Sequence, residues 1–76
     1  MPHPEDPWLA EHIRTVADRI REERLRQNRT QEWVYLQAGI SRWGLQEAES
    51  GRGNPTLRTL ARIARVLDLS PGDLLG

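Results

Sequence analysis

The stretch TQEWVYLQAGISRWGLQEAESG, residues 30–51, carries the strongest local structural signals in this chain. Ser and Thr are favoured at helix N-termini, and glycine ends helices at low cost in the left-handed conformation. These signals frame two short predicted helices: Thr30 and Gly39 around residues 31–38, and Ser41 and Gly51 around residues 42–50. Two helices joined by a short turn that contains glycine are the sequence form of a helix-turn-helix.

Helical signals continue upstream of this stretch. Asp6 and Pro7 form a cap and a first-turn proline, and Asn28 is a left-handed stop, so a long first helix is predicted over residues 7–27. Its apolar residues recur at helical spacing. They form the expected buried stripe: Leu9, Ile13, Val16, Ala17 and Ile20.

Downstream, Thr56 caps a fourth predicted helix. Its apolar set is Leu57, Leu60, Ala61, Ile63, Ala64 and Leu67. The stretch Ser70-Pro71-Gly72-Asp73 is a capping-box pattern that opens a short last helix. Since no strand pattern or repeat is present, we predict an all-α, compact five-helix bundle over residues 7–76. Residues 1–6 are expected to be a disordered lead-in.

Length and composition narrow the classes of protein. A chain of 76 residues fits one domain with one core, and without cysteine it has no disulfide and no thiolate metal site. The two histidines, His3 and His12, are expected at the surface, so neither a metal nor a cofactor is expected. No apolar run approaches the roughly 18 residues of a membrane span. Residues 1–7 lack the pattern of a secretory signal, so a cytoplasmic location is expected.

The charge balance gives a mixed signal. The 11 basic residues are all arginine and balance 11 acidic residues, so the formal net charge is zero. Nucleic-acid-binding proteins are more often basic. Arginine nevertheless offers a planar fork that suits phosphates and guanine edges. For DNA binding, the position of each charge matters more than the sum.

A larger set of residues resembles one known family. Its members are Ile20-Arg21, Arg24, Thr30-Gln31-Glu32, Ala38-Gly39-Ile40-Ser41-Arg42, Leu45, Glu49, Gly51, Asn54-Pro55-Thr56-Leu57 and Thr59-Leu60. In this order and spacing they resemble the Cro/lambda-repressor-like (XRE-type) helix-turn-helix family over roughly residues 13–75. The resemblance implies a five-helix fold and binding of double-stranded DNA through the third helix. It also implies action as a homodimer on a two-fold-related operator.

The family's functional positions carry over to this chain residue by residue. Gln31 resembles its phosphate-contacting glutamine, and Arg52 and Asn54 lie where the family grips the DNA backbone. Arg24 and Glu49 resemble its internal ion pair. The groove-facing positions of the third helix are held by Ser41, Arg42, Trp43, Gln46, Glu47 and Ser50.

Several positions depart from the family pattern. Tyr35 stands where the family usually has Ala, and Ala48 where it usually has Ile or Val. Either the ring of Tyr35 fills the space that Ala48 vacates, or the two helices are splayed. Arg29 replaces a buried Leu, so its stem is expected to pack while its head reaches solvent or phosphate. Gly44 lies inside the third helix, where it permits close approach of DNA or of a neighbouring helix.

Two residues on the third helix leave alternatives open. Trp43 either contacts DNA or a protein partner, or folds back on Gln46 or Glu47 as a surface aromatic. Glu47 either accepts a hydrogen bond from a cytosine amino group or repels phosphate.

The first helix begins before the family's usual start. Its extra residues Trp8 and Leu9 form either a dimer contact, which Leu25 would join, or a cover over Leu74 and Leu75.

The expected function is a sequence-specific transcriptional regulator, and a repressor rather than an activator. An enzyme is not expected, because the chain has no carboxylate pair, Ser-His-Asp set, metal spacing or phosphate loop. The rival expectation is an antitoxin-like or other partner-binding module on the same scaffold. Neutral charge and an exposed Trp43 would suit such a protein contact.

Overall fold

A computed structural model describes residues 6–75, and in that range the chain is all-helical. The five α-helices are α1 (Pro7–Arg26), α2 (Gln31–Ala38), α3 (Arg42–Ser50), α4 (Leu57–Leu67) and α5 (Pro71–Leu75). The predicted all-α, five-helix architecture is therefore confirmed, and α2 and α3 have the predicted bounds. Of the expected lead-in, residues 1–5 lie outside the described residues. Asp6 caps α1 by accepting the backbone N–H of Trp8 at 2.9 Å.

Local capping chemistry sets the boundaries of the central helices. The hydroxyl oxygens of Thr30, Ser41 and Thr56 each accept the backbone N–H three residues further on, at 3.0, 2.9 and 3.1 Å. Gly39 and Gly51 follow α2 and α3 in the left-handed conformation, with φ of +68° and +74°. A side chain at either position would be strained, which explains why glycine marks both ends.

The last helix opens with the predicted capping box. The Ser70 N–H donates to Asp73 Oδ2 at 2.8 Å, and the Asp73 N–H donates to Ser70 Oγ at 3.1 Å. The first of these bonds lowers the pKa of the Asp73 carboxyl. Asn28 adopts the predicted left-handed stop, with φ of +56°. Asp68 ends α4 in the same way, with φ of +61°, although no sequence signal indicated it.

One hydrophobic core joins the helices. Its fully buried side chains are Ile20 of α1, Val34 of α2, Leu45 of α3, and Ile63 and Leu67 of α4. Leu74 brings α5 into the same cluster. The buried side of α3 is therefore fixed by three other helices, and its opposite side is left facing outward.

Three positions of the predicted apolar stripes are wrong. Leu9 is 47% exposed, because the first turns of α1 extend past the core that buries Val16. Leu57 is 73% exposed, and Ala61 is exposed as well. Both residues face an apolar groove between α4 and α5 that no other helix of residues 6–75 fills.

None of the five helices is both long and apolar enough to cross a membrane. Within residues 6–75, no three His, Asp or Glu side chains are grouped to hold a metal ion. His12 is exposed and packs against Trp8, with 4.3 Å between the ring centroids and 41° between the ring planes. His3 lies outside the described residues.

Candidate nucleic-acid interface

The outward side of α3 gathers most of the predicted groove-facing residues. Arg42, Trp43 and Ser50 are exposed, and Gln46 and Glu47 are half-buried. Trp43, Gln46, Glu47 and Ser50 line one shallow groove together with Arg52 and Gly53 of the following loop. Arg42 lies in the first turn of the helix, next to its cap Ser41. The DNA major groove is wide enough to admit one α-helix that presents such an exposed face.

Trp43 keeps 70% of its surface exposed. It shares the groove with Gln46 and Glu47, so contact with these neighbours covers only a minor part of the ring. The indole is therefore available to a ligand that approaches α3.

Ser50 organises the loop after α3. Its hydroxyl donates to the Glu47 carbonyl at 2.8 Å and accepts the backbone N–H groups of Arg52 at 3.1 Å and Gly53 at 3.2 Å. A serine has one O–H donor, and here it is used within the protein. The sequence placed Ser50 on the groove face but gave no sign that it positions Arg52.

Gly53 packs directly against Glu47. A Cβ at position 53 would overlap Glu47 Cγ and lie 2.8 Å from the Glu47 carbonyl oxygen. The loop backbone therefore restricts where the Glu47 carboxylate can go. Sequence reasoning missed Gly53, because its only signal was membership of the Gly-rich stretch 51–55.

A buried ion pair holds α3 against α1. Arg24 Nε donates to Glu49 Oε2 at 2.8 Å and Nη2 to Oε1 at 3.0 Å, and both side chains are buried. Gln31 Nε2 donates to Glu49 Oε1 at 3.3 Å. The glutamine predicted to contact phosphate is thus also tied to the ion pair, with one amide hydrogen left for another acceptor.

Two further arginines hold α3 and the turn before it in place, and neither was predicted to do so. Arg21 Nη1 donates to the Glu49 carbonyl at 3.2 Å, near the C-terminus of α3, where cations are favoured. Arg62 Nη1 donates to the Gly39 carbonyl at 3.3 Å, in the turn between α2 and α3. Ile40 of the same turn packs against the core.

The model of a helix-turn-helix family matches residues 20–74, which include α2, α3 and α4. This chain belongs to the XRE-type helix-turn-helix family. It is 34% identical over 61 residues to the cryptic phage CTXphi transcriptional repressor RstR of Vibrio cholerae serotype O1 (strain ATCC 39315 / El Tor Inaba N16961). The match covers 80% of this chain and 54% of the relative, so the chain spans about half of the relative's length. No solved structure gives a significant match.

The structure shows what surrounds the residues that depart from the helix-turn-helix pattern. Tyr35 is half-buried and packs against the core cluster that contains Ala48. That its ring fills the space left by the small Ala48 side chain remains a prediction. Arg29 is exposed, and its guanidinium lies over the Trp33 ring, 3.9 Å from the centroid. The suggestion that Gly44 admits a neighbouring helix is wrong. A Cβ there would meet only the Ser41 hydroxyl at 3.2 Å and Ile40 Cβ at 4.0 Å.

The N-terminal extension of α1 does not cover α5. Trp8 is 66% exposed, and α5 instead meets α1 at Arg19, whose Nη1 donates to the Asp73 and Leu74 carbonyls. Arg19 is eleven residues after Trp8 on the helix, about 16 Å along the axis. The predicted cover over Leu74 is therefore wrong, and the Leu75 side chain lies outside the described residues. The dimer contact remains a prediction, and Leu25, its proposed additional member, is 57% exposed.

The zero net charge is unevenly distributed. Arg21, Arg24 and Arg26 form ion pairs with Asp18, Glu49 and Glu23. The Arg26 hydrogen bond lowers the pKa of the Glu23 carboxyl. Within residues 6–75, the arginines whose side chains make no ion pair or hydrogen bond are Arg14, Arg29, Arg42, Arg52, Arg58 and Arg65.

Four acidic residues gather at a distance from α3. Glu22, Glu23, Asp68 and Asp73 line a recess between α1 and the α4–α5 end of the domain. On the outward side of α3, Glu47 is the acidic residue that lines the groove with Arg52. The unpaired positive charge of Arg42 and Arg52 therefore lies on the side where the helix-turn-helix family binds DNA.

Proposed function

We propose that this chain is a sequence-specific DNA-binding transcriptional regulator that acts as a repressor. The observation that carries the proposal is the exposed polar side of α3, held from behind by the buried Arg24–Glu49 pair. Membership of the helix-turn-helix family supports DNA as the ligand. The name of the relative, a transcriptional repressor, supports repression.

In this proposal α3 enters the major groove and its first turns read base edges. Arg42 is exposed in the first turn, where a guanidinium can bind guanine O6 and N7 in a bidentate manner. Gln46, one turn further on, suits the N6 and N7 edge of adenine. The Glu47 carboxylate, restricted by Gly53, is an acceptor for a cytosine amino group.

The same proposal assigns phosphate contacts to groups that flank α3. Arg52 and Asn54 are exposed on the loop after the helix, and Gln31 is at the N-terminus of α2. Phosphate contacts set register without reading sequence, so these residues position α3 while Arg42 and Gln46 specify.

We propose further that the chain acts as a homodimer through the groove between α4 and α5. This groove encloses about 220 Å³ and is lined mainly by apolar side chains, among them Leu60, Leu69 and Leu74. Leu57 stands exposed at the same surface. In a two-fold dimer the same surface of each copy contacts the other, so that surface must supply both a protruding side chain and the cavity that receives it. Here Leu57 would be the protruding side chain and the α4–α5 groove the cavity. Such a regulator acts where DNA is, so we place it in the cytoplasm.

Selection of bound duplexes from a random pool tests this function. The expected product is a palindromic site with half-sites about one helical turn apart, roughly 34–36 Å. Recovery of no enriched sequence, with no binding to any duplex at low salt, would overturn the proposal.

A second candidate function follows from Trp43. An indole that is 70% exposed on a neutral domain also suits a protein partner, since Trp is enriched among residues that dominate interface energies. The candidate is an antitoxin-like or other partner-binding module. Isolation of a stable hetero-complex that Trp43→Ala disrupts would favour it, and a complex that Trp43→Ala leaves intact would contradict it.

A further inference from the structure

The N-terminal part of α1 lies directly beside the loop that follows α3. A Cβ at Gly51 would lie 3.3 Å from Arg14 Cγ, 3.6 Å from Arg14 Cα and 3.8 Å from Ala17 Cβ. The aliphatic stem of Arg14 therefore rests on the residue that ends α3. Arg52, the expected backbone-gripping residue, is the next residue along the chain.

Arg52 connects two neighbouring surfaces. On one side it lines the α3 groove with Trp43 and Gln46. On the other it lines a second groove, of about 260 Å³, with Leu9 and Ile13 of α1 and with Asp6, which caps that helix. The surface that presents α3 to DNA thus continues without a break onto the first turns of α1.

Arg14 differs from the other arginines of its helix. Arg19 donates to two carbonyls of α5, and Arg21, Arg24 and Arg26 are paired with carboxylates. Arg14 is exposed and makes no ion pair or hydrogen bond through its side chain within residues 6–75.

The acids nearest to Arg14 along α1 do not neutralise it. Asp18 is committed to Arg21 at 2.6 Å, and Glu11 forms no ion pair with Arg14. The Arg14 stem packs on Gly51 and Arg52 follows Gly51 in the chain, so two arginines without ion pairs adjoin the same residue. An anion that lies between two cations is attracted by both of them.

We propose that Arg14 binds a phosphate of the DNA backbone beside the one bound by Arg52. This contact would extend the DNA interface from the helix-turn-helix onto α1, and it rests on the proposed DNA-binding function. Because phosphate is the same at every base pair, the contact strengthens binding to all sequences and adds nothing to specificity.

The test is the salt dependence of DNA binding by Arg14→Gln. Each phosphate contact contributes about 0.9 to the slope of log K against log salt, so the slope should fall by about one for each protomer bound. The fall should be the same on the selected site and on a scrambled duplex. Arg26→Gln is the matched control, because it removes the same charge from the same helix on the side of Asp68 and Asp73. Its slope should stay at the wild-type value.

A second variant separates charge from packing. Arg14→Lys keeps the positive charge, and lysine binds phosphate as a point charge, so its slope should stay close to wild type. An Arg14→Lys slope as low as that of Arg14→Gln would overturn the inference, as would an Arg14→Gln slope equal to that of Arg26→Gln. In both cases wild type still binds, so the proposed function stands. Absence of wild-type binding at low salt would overturn the function itself.

Discussion

Glu49 is the residue whose single carboxylate joins three helices of this domain. It accepts from Arg24 of α1 and from Gln31 of α2, while its own backbone belongs to α3. Arg24 Nη1 also donates to the Arg29 carbonyl at 3.1 Å, so the pair reaches the segment between α1 and α2. This buried charge pair is therefore one of the contacts that set the orientation of α3 toward a ligand.

We predict that Glu49→Gln strongly destabilises the fold. The change leaves the buried Arg24 guanidinium without its counter-charge, at a cost of about 3–5 kcal/mol. That is a large share of the stability of a small domain. Urea and thermal unfolding measure the loss. As a control, Glu23→Gln removes a carboxylate from the Arg26 pair, which water screens, so its unfolding should stay close to that of wild type. A Glu49→Gln melting temperature within about one degree of wild type would show that the pair does not hold α3.

Specificity also resides in single residues, and Arg42→Ala should reveal it. A bidentate contact to guanine is worth roughly 1–3 kcal/mol of discrimination, so this variant should relax preference at one base pair of each half-site. Arg52→Ala, the comparison variant, should weaken binding to every sequence about equally and lower the salt slope by about one for each contact. Titrations of the selected site and a scrambled duplex at several salt concentrations measure both effects. Equal losses on both duplexes for Arg42→Ala would mean that α3 does not read bases through this residue.

Between elements, the two departures from the family pattern at Tyr35 and Ala48 concern the packing of α2 on α3. Tyr35 is half-buried against the core, and Ala48 is buried at 3% exposure. If the ring occupies the space above Ala48, Tyr35→Ala opens a cavity and Ala48→Ile overpacks, each at a cost of roughly 1–3 kcal/mol. The double variant should recover much of both losses, because contacting sites couple. Free energies of unfolding for the four proteins measure this, and simple additivity would show that the side chains do not share space.

Helix boundaries could be predicted because the signals that set them are local. The caps Thr30, Ser41 and Thr56 and the left-handed stops act within three or four residues of their own position. The exposure of Leu9 and Leu57 could not be predicted in the same way. Periodicity gives the apolar side of a helix, but burial depends on where the neighbouring helices end.

The candidate site shows the same division between local and tertiary information. The sequence predicted which residues of α3 share its groove-facing side, and the structure places them on the outward side of the helix. The contacts of Ser50, Gly53 and Arg14 were missed, because each joins a loop to another element. The spacing of residues within one helix cannot predict contacts between that helix and another part of the chain.

At the scale of the whole molecule, the neutral net charge becomes compatible with DNA binding once pairing is considered. Carboxylates at the α1 and α4–α5 side pair with arginines there or stand apart from α3. Arg42, Arg52 and Arg14 lie on the side of α3 and the loop after it, where Glu47 is the acid that lines the groove. Association with DNA depends on this local field rather than on the sum of charges.

The proposed homodimer is a property of the whole molecule, and Leu57→Glu tests it. A carboxylate at this exposed position would block insertion into the apolar α4–α5 groove of a second copy, because burying an unpaired charge is costly. The variant should be monomeric by sedimentation at concentrations where wild type is dimeric. It should keep its half-site affinity while its affinity for the full palindrome falls about 10²-fold or more, since the second half-site is no longer bound intramolecularly.

Two control variants locate the dimer interface. Leu25→Glu changes a leucine that is 57% exposed on α1, and Trp8→Ala removes the indole of the N-terminal extension. If the α4–α5 groove is the interface, both should remain dimeric and bind the palindrome as wild type does, because neither residue lines that groove. Dissociation of Trp8→Ala or Leu25→Glu with an intact Leu57→Glu dimer would instead place the two-fold contact on α1. The half-site spacing of the selected operator would then differ as well, because that spacing follows from the distance between the two α3 helices.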